Sequence, residues 1–181
     1  MKYKTVGMLV SGGFNKDIND HVNGAGTHYM LSRDRSPYLI QVKAGLLVQN
    51  TGVGLHPFDT TSSSNDTFIF VMTGDGVIYS GDKQLVQHHS SFLAGREVAA
   101  AGSWVVRSGR PGLITNMSGH YQTPIDYAEQ ILKELKSRGV NTSAVVKRWI
   151  GGTSRETAKA LAEIGVTRKR LGDHGETAAK F

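Results

Sequence analysis

Cysteine is missing altogether from the 181 residues. That excludes disulfide frameworks, zinc fingers, thiol nucleophiles and the Cys-ligated zinc of nucleobase deaminases, since each needs a thiolate. Long apolar runs are missing too. Leu46 to Val48 and Phe68 to Met72 fall far short of the roughly 20 residues that cross a bilayer. The N-terminus carries early lysines without an adequate apolar stretch or small-residue cleavage site, so it does not read as a signal peptide. The chain also lacks the Gly-x-x-x-x-Gly-Lys-Ser/Thr phosphate loop, the Gly-x-Gly-x-x-Gly dinucleotide fingerprint and the Gly-x-Ser-x-Gly nucleophile elbow. Finally, residues 1 to 131 lack net charge, with 10 Lys/Arg against 10 Asp/Glu; the whole +6 belongs to residues 132 to 181, with 11 against 5. In that basic quarter only Trp149 and Phe181 are aromatic, which argues against a nucleic-acid surface.

What remains suits one domain of ordinary size. It reads as a core over 1–140 and a basic helical C-terminal extension over 141–181. Val6 to Val10 reads as a strand leading into a Gly- and Asn-rich loop, and Leu39 to Val48 as either a strand or a short helix ending near Gly45. Gly52 to Asn65, with Pro57 and Ser62-Ser63-Ser64, reads as an exposed loop. Phe68 to Met72 is a continuous apolar run, as in a buried strand. Gly74-Asp75-Gly76 turns it back into Val77-Ile78-Tyr79 as a hairpin. Trp104 to Val106 and Leu113-Ile114 form a second hairpin around Ser108-Gly109. Thr123 and Pro124 open a helix whose Ile125, Ala128, Ile131, Leu132 and Leu135 recur at helical spacing up to Gly139. A further helix is predicted from Ser154 to Gly165.

Polar chemistry concentrates in two segments, His88-His89-Ser90-Ser91-Phe92-Leu93-Ala94-Gly95 and Ser118-Gly119-His120-Tyr121. Each places hydroxyl and imidazole groups at an element boundary, where they can converge on a ligand. A Ser-His nucleophile pair is one chemistry these groups could support, and a structural hydrogen-bonding role is another. The three histidines show no metal-ligand spacing, and no metal is expected.

The two segments, with Ala100-Ala101-Gly102 between them, resemble a module near the C-termini of bacterial secreted toxins and effectors. A similar pattern occurs in plant IQ-motif calmodulin-binding proteins, although this chain has no recognisable IQ motif. A second resemblance, of Arg35-Ser36-Pro37 with Ile40 and Gly45-Leu46, is to cholera- and pertussis-type mono-ADP-ribosyltransferase toxins. It implies an α+β fold with an ADP-ribosyltransferase-like mixed or antiparallel sheet and a C-terminal helical segment. It implies NAD as substrate, its phosphates held by Arg33 or Arg35 with Ser90 beside them. It also implies Glu97 supporting a ribosyl cation, with His88, His89, Ser90, Ser91, His120 and Tyr121 completing the catalytic set. The partners implied are a target-cell protein that accepts ADP-ribose and a cognate immunity protein. The place implied is outside the producing cell, by secretion or specialised delivery. The alternatives are a non-catalytic protein-binding module and an effector hydrolase using His/Ser chemistry.

Overall fold

The computed structural model describes residues 1–8 and 28–150. A 3-10 helix over Ser32–Tyr38 leads into strands β1 (Leu39–Lys43), β2 (Leu46–Asn50), β3 (Leu55–Pro57), β4 (Phe68–Met72) and β5 (Ile78–Gly81). Two short helices follow, α1 (Lys83–Val86) and α2 (His89–Leu93). Then come β6 (Ala100–Arg107), β7 (Arg110–Thr115), the long helix α3 (Ile125–Ser137) and β8 (Val146–Arg148). All the strands join one eight-stranded sheet in the order β3-β2-β1-β5-β4-β6-β7-β8. Every pairing is antiparallel except the parallel β7–β8 edge, so the class is mixed α+β.

β5 and β4 are the two central strands, and β4 is buried at every residue. Its side chains alternate. Phe68, Phe70 and Met72 enter the core with Trp104, Ile114, Ile131 and Leu135 beneath α3. Ile69 and Val71 enter a second core with Val86, Phe92, Leu93, Val98 and Tyr121. A strand covered on both faces reads as an unbroken apolar run, which is why its position is plain in the sequence.

The ambiguous segment from Leu39 to Val48 is a hairpin. Ala44 and Gly45 both adopt positive φ, +50° and +75°, the geometry of a two-residue turn matched to strand twist. Ser108 and Gly109 repeat this between β6 and β7, with φ of +46° and +78°. Gly102 is needed for a different reason: a Cβ there would lie 1.9 Å from the Thr115 carbonyl oxygen.

α3 ends as expected at Gly139, whose φ is +84°. Its start differs from the expectation. The helix begins at Ile125, Pro124 occupies the capping position, and Thr123 is buried with its hydroxyl making no hydrogen bond. The Thr123 carbonyl instead accepts a hydrogen bond from Asn116 Nδ2 at 2.9 Å. A helical extension was expected over 141–181, whereas residues 146–148 form a strand that returns to the sheet. Of the strand expected at Val6 to Val10, Val6 makes an antiparallel bridge to Val98. Residues 9 and 10, and the helix expected from Ser154 to Gly165, lie outside the described residues.

Candidate functional site

The His-His-Ser-Ser segment is α2, and the backbone before it is strained. Gln87 has φ +68° and ψ −60°, and the His88 N–H donates to the Val86 carbonyl at 2.9 Å, which closes a γ-turn of the rare positive-φ kind. Ala94, in the left-handed region at φ +52°, ends the helix. Gln122, directly after the Ser-Gly-His-Tyr segment, is also left-handed at +41°. Non-glycine residues held at positive φ cost free energy, and they persist where surrounding contacts over-determine them.

Those contacts are made by the polar residues of the two segments. His89 is 0% exposed, and its Nε2 lies 2.8 Å from the Gly102 carbonyl. A carbonyl only accepts, so Nε2 carries the proton and ties α2 to β6. Ser90 is also 0% exposed, and its Oγ is 2.9 Å from His120 Nδ1. The hydroxyl donates there when Nδ1 is bare and accepts when Nδ1 is protonated. The His88 and His120 rings lie 5.0 Å apart, tilted by 38°, and both residues are half-buried. Ser91 is buried and its hydroxyl meets no partner among the described residues. The buried Tyr121 donates its phenol to the Arg96 carbonyl at 2.8 Å. Burial, reinforced by the nearby Tyr29, holds that phenol well above the ordinary tyrosine range.

The candidate residues therefore separate into distinct places. His88, Ser90 and His120 form one cluster, and His89 faces β6. Arg35 and Glu97 line a cleft of about 670 Å³ between the β4–β5 turn and the residues after α2; none of His88, His89, Ser90, Ser91, His120 or Tyr121 lines it. Glu97 is exposed, with its Oε2 accepting a 2.7 Å hydrogen bond from Thr5 Oγ1. Arg33 stands apart, exposed, 3.7 Å from Asp34.

The geometry limits the chemistry. Ser90 and His120 have the separation of a nucleophile and its base, and the Ser90 hydroxyl is fully buried. Among the described residues, no group of three or more His, Asp or Glu is placed to hold a metal ion. No helix among them is long and apolar enough to cross a membrane.

A second set of buried polar groups went unnoticed in the sequence. Glu134 on α3 is 2% exposed and accepts hydrogen bonds from Lys2 Nζ, Tyr3 Oη and Arg138 Nε. Burial alone would raise its carboxyl pKa; these hydrogen bonds more than reverse that and hold it at about 2. Gln130 exchanges hydrogen bonds with the Lys4 backbone and donates to the Ala99 carbonyl. Gln130 and Glu134 stand four residues apart, each directly before an inward apolar residue, Ile131 and Leu135. That spacing on a helix's inner face was the available signal.

Comparison with known proteins gives one family match. The model of the IQ motif-containing protein middle domain matches residues 34–128, a span that includes both polar segments and Arg35. IQ domain-containing protein IQM3 of Arabidopsis thaliana is 32% identical over 142 residues, 75% of this chain and 31% of the relative. IQM1 of the same plant is 28% identical over 148 residues, 82% of this chain and 30% of the relative. The chain thus spans under a third of the length of these relatives. No solved structure matches.

These matches correct the expectations drawn from bacterial toxins. Of the two groups named for the shared pattern, they fall on the plant IQ proteins. The assignment as a bacterial effector with ADP-ribosyltransferase activity is overturned, and with it secretion or specialised delivery into a target cell. Physically, the polar residues of the pattern hold α2 against the sheet here, with His89 bonded to Gly102 and Ser90 to His120. The structure holds the chosen serines inside.

Proposed function

The chain belongs to the family of the IQ motif-containing protein middle domain, and from that premise we propose that it is a non-catalytic protein-binding module. The observation that carries this reading is the complete burial of His89 and Ser90, their ring nitrogen and hydroxyl engaged with Gly102 and His120. Buried polar groups whose hydrogen bonds are made rigidify what surrounds them, here the surface beside α2. The surface so fixed includes the half-buried His88, Gly119 and His120 with the exposed Gln87 and Gln122. Imidazole and amide groups on a rigid frame suit recognition of a protein partner.

Calmodulin, the partner that the resemblance to plant IQ-motif proteins implies, enters this reading as an outcome to be tested and not as the partner proposed. Calmodulin targets present an amphipathic helix. The chain's one Ile-Gln pair, Ile40-Gln41, lies on β1, hydrogen-bonded within the sheet.

The test is affinity capture from plant extract with the wild-type chain, His88→Ala, His120→Ala and Ser90→Ala, each checked for an unchanged fold. The expected result is a specific protein retained by wild type, held more weakly by Ser90→Ala, which frees His120 from its buried partner, and lost from both histidine variants. Capture indifferent to His88 and His120, or a hydrolytic activity abolished by Ser90→Ala, overturns the proposal.

A further inference from the structure

Arg35 is only 8% exposed, yet no Asp or Glu among the described residues lies within ion-pair distance of it. Its Nη2 donates to the Met30 carbonyl at 3.1 Å, and its Nε is buried without an acceptor. Buried charges in folded proteins are normally paired, because desolvating an unpaired one is costly. Arg35 lines the cleft of about 670 Å³, together with Thr73, Val77, Tyr79, Leu93 and Arg96. That volume falls within the roughly 300–1,000 Å³ of small-molecule sites, which combine an apolar wall with a few fixed polar groups. Leu93 is buried, Val77 and Tyr79 are half-buried, and the Tyr79 ring stacks on Phe92 at 6.5 Å, so the wall is supported from behind. Thr73 is held as well, its Oγ1 accepting the Val77 N–H at 3.1 Å. Glu97 and Asp75 also line the cleft and give it an acidic side.

We propose that this cleft binds a small molecule bearing an oxyanion, a carboxylate or a phosphate, seated on the Arg35 guanidinium with its apolar body against Val77, Tyr79 and Leu93. A guanidinium offers planar paired donors that match either oxyanion. The proposal is independent of the protein-binding reading, since the cleft shares no residue with the His88–Ser90–His120 cluster.

The experiment is an NMR titration of the isotope-labelled chain, at constant ionic strength, with inorganic phosphate in one arm and benzoate in the other. Saturable shifts at Thr73, Tyr79 and the Arg35 side chain are expected in at least one arm. Response to phosphate alone identifies a phosphate ligand, and response to benzoate a carboxylate with an apolar body. Arg35→Met weakens binding about ten-fold or more. Glu97→Gln tightens it a few-fold, because a like charge leaves the cleft. If Arg35→Met does not fold, Val77→Trp, which fills the cleft, abolishes the shifts instead. Absence of saturable shifts in both arms, or shifts that survive Arg35→Met or Val77→Trp unchanged, or that Glu97→Gln leaves as they were, overturns the proposal.

Discussion

His89 and Arg35 are both basic side chains buried beside the second core, but their surroundings differ. The imidazole of His89 has an acceptor 2.8 Å away in the Gly102 carbonyl. The guanidinium of Arg35 has the Met30 carbonyl at 3.1 Å and an Nε with nothing to bond. The first residue lies in the segment that looked catalytic, and its polarity is spent on holding α2 to β6. The second lies in the 3-10 helix Ser32–Tyr38 and keeps unspent bonding capacity at the edge of a cleft. Satisfied polarity builds structure; an unpaired buried charge beside a cleft marks where something else can bind.

The contrast breaks most completely at Gly102, the residue on which the His89 side depends. Gly102→Ala puts a methyl 1.9 Å from a backbone oxygen, which no side-chain rotation relieves. We expect a loss of about 4 kcal/mol or more, or failure to fold, read by urea denaturation. A fold that tolerates this change would mean that β6 and β7 separate easily, and that His89 is not fixed by the strand it bonds.

A second satisfied site extends the comparison to the other core. Glu134 has its pKa held at about 2, against an ordinary value of 4.5. A carboxylate depressed in the folded state contributes stability that is fully present above the unfolded pKa and is lost as pH falls through the folded one. The wild type should therefore lose up to about 3 kcal/mol between pH 4.5 and pH 2 from this group. Glu134→Gln should be less stable at pH 7 and lack that component of the acid transition. Parallel acid profiles for the two chains would show that the hydrogen bonds from Lys2, Tyr3 and Arg138 contribute little.

Gln130 and Glu134 also show why the sequence was only partly legible. β4, the turn at Gly74-Asp75-Gly76 and the body of α3 are written in neighbouring residues, as an apolar run, a glycine pair and a helical repeat. Of the partners of Glu134, only Arg138 stands at a local i,i+4 spacing; Lys2 and Tyr3 lie 132 and 131 positions away, and no local pattern joins them to it. Gly76 has the same character: it looked like a turn residue and is one, at φ +87°, but a Cβ there would also meet Glu134 Oε1 at 2.6 Å. Leu39 to Val48 was ambiguous because β1 and β2 do not alternate cleanly between buried and exposed, and the decisive feature was the Ala44-Gly45 turn. In the candidate site, residue types were visible but burial was not, so Ser90 and Glu97 were grouped although they occupy different places.

Opposite signs of substitution sharpen the contrast directly. His89→Ala removes a buried hydrogen bond and leaves a cavity, and should cost about 2–3 kcal/mol. Arg35→Met keeps the volume and removes an unpaired buried charge, and should be neutral or stabilise by about 1 kcal/mol. Both are read from urea midpoints at constant m-value. Equal destabilisation by the two variants would place Arg35 among the structural polar groups and remove the reason to look for a ligand beside it.

The smallest expected effect lies at Gln87, where the satisfied segment begins. The γ-turn there needs φ +68°, which glycine adopts without the steric cost carried by glutamine. If the contacts of His89 and Ser90 hold the turn in place, Gln87→Gly relieves strain and stabilises the fold by about 0.5–1 kcal/mol, with the 5.0 Å His88–His120 ring pair kept. Thermal unfolding reads the first effect, and the imidazole NMR signals of the two histidines read the second. If the added backbone freedom instead disperses those signals and lowers stability, the glutamine itself holds the turn, and the imidazole pair is set by local backbone stiffness more than by the buried hydrogen bonds behind it.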